Sequence, residues 1–382
     1  MPVSIIAEIG TAHGGNPHKM RALIDAAADS GADYVKFQWV YADEILHPDT
    51  GFVSLPGGTV PLYQRFRELE VPPEFFSEAL EYAHKCGVGF ICSPFGLKSL
   101  DELLALKPDA VKIASPELNH YPLLKKLNEY AENMGDSAPP AILSAGVSRL
   151  GDIEKALGCL NAYQRLPQKD SRLAPLSLLH CVTAYPAPET EYNLRTIQTL
   201  SAIFGVSTGV SDHSLDAVLV PVLSVIAGGV IIEKHITLSK ETDGLDDPVA
   251  LEPREFALMT EQVRKAEQYL SAYGSACGAD SALEALARSY PKETIIAALG
   301  DGVKRLAPAE AANYGRTNRS LHFMKHLQTG TCISKGDIAV LRTEKVLTPG
   351  ISPEYLDTVL GARLARDVRS GDGVQWRQLL LY

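Results

Sequence analysis

The chain has 382 residues, of which 46% are hydrophobic and 21% charged, which is typical of an ordinary globular protein. Its 36 basic and 46 acidic residues give a net charge of −10, which argues against a surface that binds nucleic acid or an anionic membrane. The length predicts one large domain and a smaller one, because single cores stop growing at about 250–300 residues.

The six cysteines are scattered and form no CxxC pair, which is typical of free thiols in a reducing compartment. No apolar run approaches the length that spans a bilayer. The first residues, MPVSIIAEIG, read as a strand and lack the pattern of a signal peptide. We therefore expect a cytoplasmic protein.

From Ile5 to Thr237, short β-rich runs alternate with segments that carry apolar residues at helical spacing. Eight such repeats predict an α/β fold, the (β/α)8 TIM barrel. A doubly wound open sheet is the alternative, but no GxGxxG or Walker-type loop follows the first strand. The predicted strands are Ile5–Gly10, Tyr34–Gln38, Gly89–Ser93, Ala110–Ser115, Ala141–Gly146, Leu176–Val182, Gly205–Asp212 and Gly229–Thr237.

Every predicted strand carries a polar or ionisable residue near its end. Strands of a parallel sheet are buried on both faces, so Lys36 and Lys112 require an explanation. They could point into water at the strand ends, but the same pattern in all eight strands favours a site at the carboxyl face, where barrel enzymes place theirs. The polar residues are Glu8, Lys36, Gln38, Ser93, Lys112, Ser115, Ser144, His180, Thr183, Ser211, His213 and His235.

His213 and His235 each end a predicted strand, one β-α repeat apart. Neighbouring parallel strands would place the two imidazoles side by side, an arrangement that suits a divalent transition metal. Alternatively, each histidine is a packed core or loop residue. Asp212 could orient one of them or cap the helix that follows.

Beyond the barrel the chain changes character. We predict a barrel domain over residues 1–272, which ends with a helix over Pro253–Ala272, then a helix and linker over 273–318, and a small β-rich domain over 319–382. The last domain would be marginal alone and should dock against another surface. The long connection Trp39–Val71 is either a lid or a surface excursion.

Nine segments in this order resemble the N-acetylneuraminate (sialic acid) synthase family, and the last domain resembles the SAF (antifreeze-like, β-clip) domain that follows the barrel in that family. The resemblance covers nearly the whole chain. The segments are AEIGTAHGGN, GADYVKFQ, FICSPF, AVKIASPELNHYPLL, ILSAG, LLHCVTAYPAP, GVSDHSLD, IIEKHIT and GLDD.

This resemblance implies condensation of phosphoenolpyruvate with an N-acyl amino-hexose (ManNAc-like) or related aldose, giving a nonulosonic 2-keto-3-deoxy acid and phosphate. It also implies a divalent metal, Mn²⁺ or Mg²⁺, and a domain-swapped homodimer. Alternatives are the same chemistry on a legionaminic or pseudaminic precursor or another sugar, and a metal-dependent aldolase on the same barrel. The acceptor, the metal and the pathway stay open at this point.

The resemblance further implies a role for each motif residue. Either Glu8 or Asp246 would orient or deprotonate the attacking water. The implied metal ligands are His213 and His235; the catalytic set is Glu8, His213, His235 and Asp246; the phosphoenolpyruvate contacts are Lys36, Ser93, Lys112, Ser115, Ser144, Thr183 and Ser211; the sugar contacts are Gln38, Glu117, Tyr185, Asp246 and Arg319, with Arg316 as the second choice for the arginine.

On the predicted sugar side the chain departs from the family pattern at two places, which bear on which sugar is used. Family members commonly read Asn-His-Asn-Gly where this chain has Ala12-His13-Gly14-Gly15, and they often carry Pro and His in place of Leu245 and Asp247. They also often carry Asn in place of Thr183, on the phosphoenolpyruvate side, where a threonine can still hydrogen-bond a carboxylate or phosphate.

Overall fold

Eight parallel strands close into a barrel in the computed structural model, which describes residues 2–55, 58–168, 172–242 and 244–380. Each strand pairs with the next in the chain, and the eighth pairs with the first. The predicted TIM barrel is confirmed, and the open sheet is excluded. The strands are β1 (Ser4–Gly10), β2 (Tyr34–Trp39), β3 (Gly89–Pro94), β4 (Ala110–Ile113), β5 (Ala141–Ser144), β6 (Leu176–Cys181), β7 (Ser207–Asp212) and β8 (Ile231–His235).

Helices surround the barrel and bury one face each against it. The first begins after Asn16, whose side chain accepts hydrogen bonds from the exposed N–H groups of the first turn. The helix predicted to end at Ala272 extends to Leu286, with a non-helical Gly274 inside it. The longer helices are Pro17–Asp29, Pro73–Lys85, Leu97–Ala105, Tyr121–Met134, Leu150–Gly158, Thr196–Phe204, Leu219–Ile226, Pro253–Leu286 and Lys292–Leu299; the shorter ones are Ala42–Ile45, Leu62–Glu68, Asn161–Arg165, Pro308–Ala311 and Leu356–Val359.

Among the described residues, none of these helices is long and apolar enough to cross a membrane.

The floor of the barrel interior is apolar. Inward-facing side chains from several strands form a small buried cluster there, while the main core lies between strands and helices. Side chains two positions apart on a strand point to the same side. The next layer of inward-facing side chains therefore lies two residues after each floor residue, towards the carboxyl ends of the strands. The floor residues are Ile6, Ile91, Ala110, Ile142, Leu179 and Ile231.

The connection Trp39–Val71 packs against the small domain. It folds into two short helices and a hairpin, Phe52–Leu55 with Gly58–Pro61. The Thr50 hydroxyl donates to the Thr343 carbonyl (3.0 Å), and Thr50 is fully buried. The small domain therefore covers the part of the connection around Thr50, whereas Phe52 in the hairpin stays exposed.

The small domain contains two strand pairs, β9 (Arg319–Phe323) with β10 (Ile338–Arg342) and β11 (Arg363–Leu364) with β12 (Leu379–Leu380). It has its own apolar core, and as expected it docks on another surface, the barrel of its own chain. The core residues include Leu321, Phe323, Val359, Leu364, Val368 and Val374.

A buried ion cluster joins the two domains. Glu117 Oε1, on the barrel side, lies 2.9 Å from a guanidinium nitrogen of Arg319 and 2.7 Å from one of Arg342. Arg319 also donates to the Phe95 carbonyl (2.6 Å). Glu117 and Arg319 are fully buried, so each charge depends on the others for compensation.

We expect Glu117→Ala to lower the free energy of unfolding by about 3–5 kcal/mol, because it leaves the fully buried Arg319 and the largely buried Arg342 without the carboxylate that pairs with both. The matched control is Glu354→Ala. It removes a different interdomain ion pair, between Glu354 (28% exposed) and Lys155 (53% exposed), and should cost about 1 kcal/mol or less. Urea denaturation measures both, and equal losses would contradict the assignment.

Candidate active site

A polar layer lies directly above the apolar floor. Counting two positions along β1, β3, β5 and β8 from their floor residues reaches a carboxylate, two hydroxyls and a second carboxylate. The same layer receives a lysine each from β2 and β4, so charged groups from all around the barrel meet at its carboxyl end. Its members are Glu8, Lys36, Ser93, Lys112, Ser144, Ser211 and Glu233.

The two lysines converge on one carboxylate. Lys36 Nζ and Lys112 Nζ each lie 3.7 Å from Glu233 Oε1, and the residues are only 3% and 1% exposed. The interpretation that these lysines point into water is therefore wrong. Lys36 also lies 2.8 Å from Glu8 Oε2 and 3.4 Å from Ser93 Oγ, whereas Lys112 donates to Ser144 Oγ (2.7 Å).

The two ammonium groups differ in their electrostatics. Burial lowers the pKa of both. For Lys36 the attraction of Glu233 and Glu8 outweighs burial and raises the pKa, whereas for Lys112 burial prevails and the pKa is lowered. Burial alone would raise the pKa of Glu233, but the two lysines and the Ser211 hydroxyl hold it well below its usual value.

Sequence reasoning missed Glu233, although a signal was present. It lies in the buried run IIEKH, where a glutamate is as unexpected as the lysines of β2 and β4. Its position between the two lysines makes it the counter-charge that both of them share.

His213 and His235 lie side by side, with ring centroids 5.6 Å apart, as their spacing predicted. The Nδ1 of His213 is 2.9 Å from the Val182 carbonyl, so the proton there leaves the Nε2 lone pair facing the site, 3.2 Å from the Tyr185 hydroxyl. Burial lowers the pKa of His235 and favours its neutral form. In their neutral forms, both imidazoles offer a lone pair.

The described residues contain no group of three or more histidine, cysteine, aspartate or glutamate side chains arranged to hold a metal. A divalent ion at this point would be held by the two imidazoles, and water or substrate oxygens would complete its coordination. Burial lowers the pKa of His213, but Cys181, whose sulfur is 3.8 Å from Nδ1, raises it to about 9. A metal would compete with that proton.

Two further groups of predicted residues meet at the mouth. Ser115 Oγ accepts the Gly146 N–H (3.0 Å), and a Cβ at Gly146 would lie 2.1 Å from Thr183 Oγ1, so these three residues are in close contact. Across the mouth, Gln38 donates to Glu8 Oε1 (2.7 Å). A Cβ at Gly10 would lie 3.4 Å from Glu8 Oε1 and 3.7 Å from Asp246 Oδ2, which places the two carboxylates near each other.

The predicted residues Glu117 and Arg319 bind each other, and in the described part of the chain no hydrogen bond or ion pair joins their side chains to Lys36, Lys112 or the histidine pair. Arg316 donates instead to the Glu344 carbonyl (2.9 Å). His180 faces away from the mouth and bonds the Tyr192 carbonyl.

Asp212 pairs with buried Lys234 (2.7 Å) and accepts from the Ser214 N–H (2.8 Å). It does not cap the next helix. Asp216 instead accepts the Val218 and Leu219 N–H groups where that helix begins, both at 2.7 Å.

At the first departure from the family pattern, His13 is packed and structural. Its Nδ1 accepts the Gly15 N–H (3.0 Å), and its ring lies 4.6 Å from that of Phe75. Burial, with a smaller contribution from Lys19, lowers the pKa of His13 to about 4. At the second departure, Asp247 is buried and accepts the Gly244 N–H (3.1 Å), which ties its loop together.

Comparison with known proteins gives consistent matches. The model of the NeuB family matches residues 23–274, and that of the SAF domain matches residues 318–380. The spore coat polysaccharide biosynthesis protein SpsE of Bacillus subtilis is 32% identical over 383 residues, covering 100% of this chain and 94% of that protein. The N,N'-diacetyllegionaminic acid synthase of Campylobacter jejuni is 31% identical, covering 94% of each. The resemblance seen in the sequence is confirmed.

Solved structures agree. The crystal structure of Bacillus subtilis SpsE has a TM-score of 0.78 at 31% identity and covers 100% of this chain and 96% of that one. The N-acetylneuraminic acid synthetase of Leptospira borgpetersenii has a TM-score of 0.61 at 30% identity, covering 75% of this chain and 91% of that one.

We expect His13 to make stability fall in mild acid. The folded protein keeps His13 neutral down to about pH 4, whereas the unfolded chain takes up the proton near pH 6.5. Stability from this residue is therefore lost as the pH falls from 6.5, by about 2 kcal/mol between pH 7 and pH 5. In urea denaturation, the free energy of unfolding should fall between pH 7 and pH 5 by about 2 kcal/mol less in His13→Asn than in the wild type. His18→Asn controls for replacing an exposed histidine, and parallel losses in wild type and His13→Asn would contradict the expectation.

Proposed function

The chain belongs to the NeuB family and ends in a SAF domain, and on that premise we propose that it condenses phosphoenolpyruvate with an N-acylated amino-hexose or a related aldose, releasing phosphate and a nonulosonic acid. Relatives carry the names N,N'-diacetyllegionaminic acid synthase, pseudaminic acid synthase and N-acetylneuraminate-9-phosphate synthase. The observation that carries the proposal is the meeting of Lys36 and Lys112 with serine hydroxyls beside a histidine pair.

The lysine and serine layer suits phosphoenolpyruvate. That substrate carries a carboxylate and a phosphate, and ammonium and hydroxyl donors give both groups charge-assisted hydrogen bonds. Glu233 raises the pKa of Lys112 against the effect of burial and so helps to keep that ammonium charged. In an acidic protein, the two lysines supply the local positive charge that an anionic substrate needs.

His213 and His235 would hold the divalent metal, for which we propose Mn²⁺ or Mg²⁺. When bound, such an ion polarises the sugar aldehyde as a Lewis acid. Tyr185 lies against His213 with half of its surface exposed, so its hydroxyl can bind a sugar oxygen at the entrance.

The proposed reaction begins when C3 of phosphoenolpyruvate attacks the sugar aldehyde. Positive charge develops at C2, water adds there, and the tetrahedral intermediate loses phosphate by C–O cleavage. Glu8 and Asp246 lie near each other, so one of the two carboxylates orients this water and takes its proton. Gln38 and Lys36 both contact Glu8 and hold its carboxylate in place.

The acceptor is the open part of this proposal. The relatives named for legionaminic and pseudaminic acids match at 31% and 28% identity, so their diacetamido-hexose precursors are the second candidates. His13 and Asp247 form hydrogen bonds within their own loops. This supports a sugar-binding side of the site that differs from the common family pattern.

We expect the purified protein to release phosphate from phosphoenolpyruvate and Mn²⁺ when the right aldose is present in a panel that includes N-acetylmannosamine and a diacetamido-hexose. His213→Ala and His235→Ala should each lose roughly 100-fold or more, because losing a Lewis acid costs several kcal/mol of transition-state stabilisation. Dialysis against a chelator should abolish release, and re-added metal should restore it.

The matched control is His84→Ala, which changes an exposed histidine paired with Asp109 and should keep activity. If His213→Ala and His235→Ala both still release phosphate at the wild-type rate, the proposed role of the two histidines as metal ligands is wrong. Absence of release with every acceptor would count against the synthase and leave the aldolase alternative, which cleaves or joins sugars without freeing phosphate.

A further inference from the structure

The connection between the two domains reaches into the barrel mouth through a buried carboxylate. Glu310 lies in the short helix Pro308–Ala311 and is 1% exposed. Its Oε2 accepts the backbone N–H groups of Val147 and Thr183, both at 2.8 Å, and its Oε1 accepts the Ala307 N–H at 3.2 Å. One side chain thus binds two loops that follow different strands, β5 and β6.

Two amides of the same connection bind the carbonyls of the same two loop residues. Asn318 donates to the Val147 carbonyl (3.1 Å), and Asn313 donates to the Thr183 carbonyl (3.2 Å). Val147 has a φ of 42°, a conformation that a β-branched residue rarely adopts unless its surroundings impose it. The connection therefore fixes both backbone polar groups of Val147 and of Thr183.

Three of the proposed phosphoenolpyruvate contacts, Ser115, Ser144 and Thr183, lie in or against these two loops. The hydroxyls of Thr183 and Ser115 pack against Gly146 so closely that a Cβ at this position would clash with both. Ser144, three residues before Val147, binds Lys112. A shift of either loop would move the hydroxyls of this half of the site relative to the two lysines.

We propose that Glu310, assisted by Asn313 and Asn318, is a positioning residue that sets the phosphoenolpyruvate half of the site from the interdomain connection. The inference rests on the proposed function. It requires a carboxylate in particular, because three N–H groups converge on its two oxygens. A glutamine offers one oxygen, and its NH₂ group would then face an N–H donor.

The buried charge of Glu310 has partial compensation nearby. Lys304 is buried, and burial lowers its pKa while Glu310 raises it. Its ammonium makes no hydrogen bond within the described residues and lies beyond ion-pair distance of Glu310. The backbone N–H groups are therefore the direct partners of the carboxylate, so the loops and the connection are mutually dependent.

The test is steady-state kinetics of phosphate release for the wild type, Glu310→Gln and Asn313→Ala, with melting temperatures measured alongside. Misplacing a binding group by about 1 Å can cost up to roughly 100-fold. We expect Glu310→Gln to raise KM for phosphoenolpyruvate by about tenfold or more, with KM for the sugar within about twofold, and Asn313→Ala to raise the former by about threefold.

The matched control is Glu191→Gln. Glu191 lies further along the loop that follows β6 and accepts the Ala309 N–H (2.8 Å), so it ties that loop to the same short helix without bonding Val147 or Thr183. It should leave both KM values unchanged.

An unchanged KM for phosphoenolpyruvate in Glu310→Gln would overturn the inference, as would losses that affect both substrates equally and follow the melting temperature. If Glu310→Gln does not fold, Asn313→Ala decides by the same criterion. If the wild type releases no phosphate with any acceptor, the proposed function fails. The inference about Glu310 is then tested by calorimetry, which compares phosphoenolpyruvate binding by the wild type and by Glu310→Gln. Equal binding by wild type and variant, or none by the wild type, would overturn the inference.

Discussion

Four charged side chains are buried together above the apolar floor of the barrel, and each is tolerated because another neutralises it. Glu8 contacts Lys36, Lys36 and Lys112 share Glu233, and Ser144 satisfies Lys112. A single buried charge without a partner would cost several kcal/mol. The layer can therefore exist only as a set, and the proposed anionic substrate would enter a site whose cations already have partners. Its binding would exchange one set of charge contacts for another and would not simply fill a positive pocket.

Much of the fold follows from the sequence because it depends on local patterns. The β-α alternation predicted the closed barrel, and lysines in strands that should be apolar predicted a site at the carboxyl face. Strand ends were less accurate: Ser115 was assigned to a strand but lies in a 3-10 turn, because the run VKIAS does not show where pairing stops. Glu233 was missed although the rule that singled out Lys36 and Lys112 applied to it equally.

Other features depend on contacts that a linear sequence does not encode. Glu117 and Arg319 are 202 residues apart and meet only because the small domain docks on the barrel. Asp212 and Asp216 both precede the same helix. Which of them binds the backbone where the helix begins depends on turn geometry and on Lys234, which forms an ion pair with Asp212. Glu310 was not singled out, because its importance comes from the two loops that it reaches and not from its neighbours in the chain.

The ion cluster of Glu117, Arg319 and Arg342 has a consequence for assembly. Here the small domain makes these contacts with the barrel of its own chain. Two copies that exchanged their small domains would make the same contacts between chains, so the interface itself would favour neither arrangement. The balance between a closed monomer and an exchanged pair would then be set by strain in the connection and by protein concentration. Conversion would require the buried guanidinium groups to leave their carboxylate, so the two forms should interconvert slowly and could be kept apart once formed.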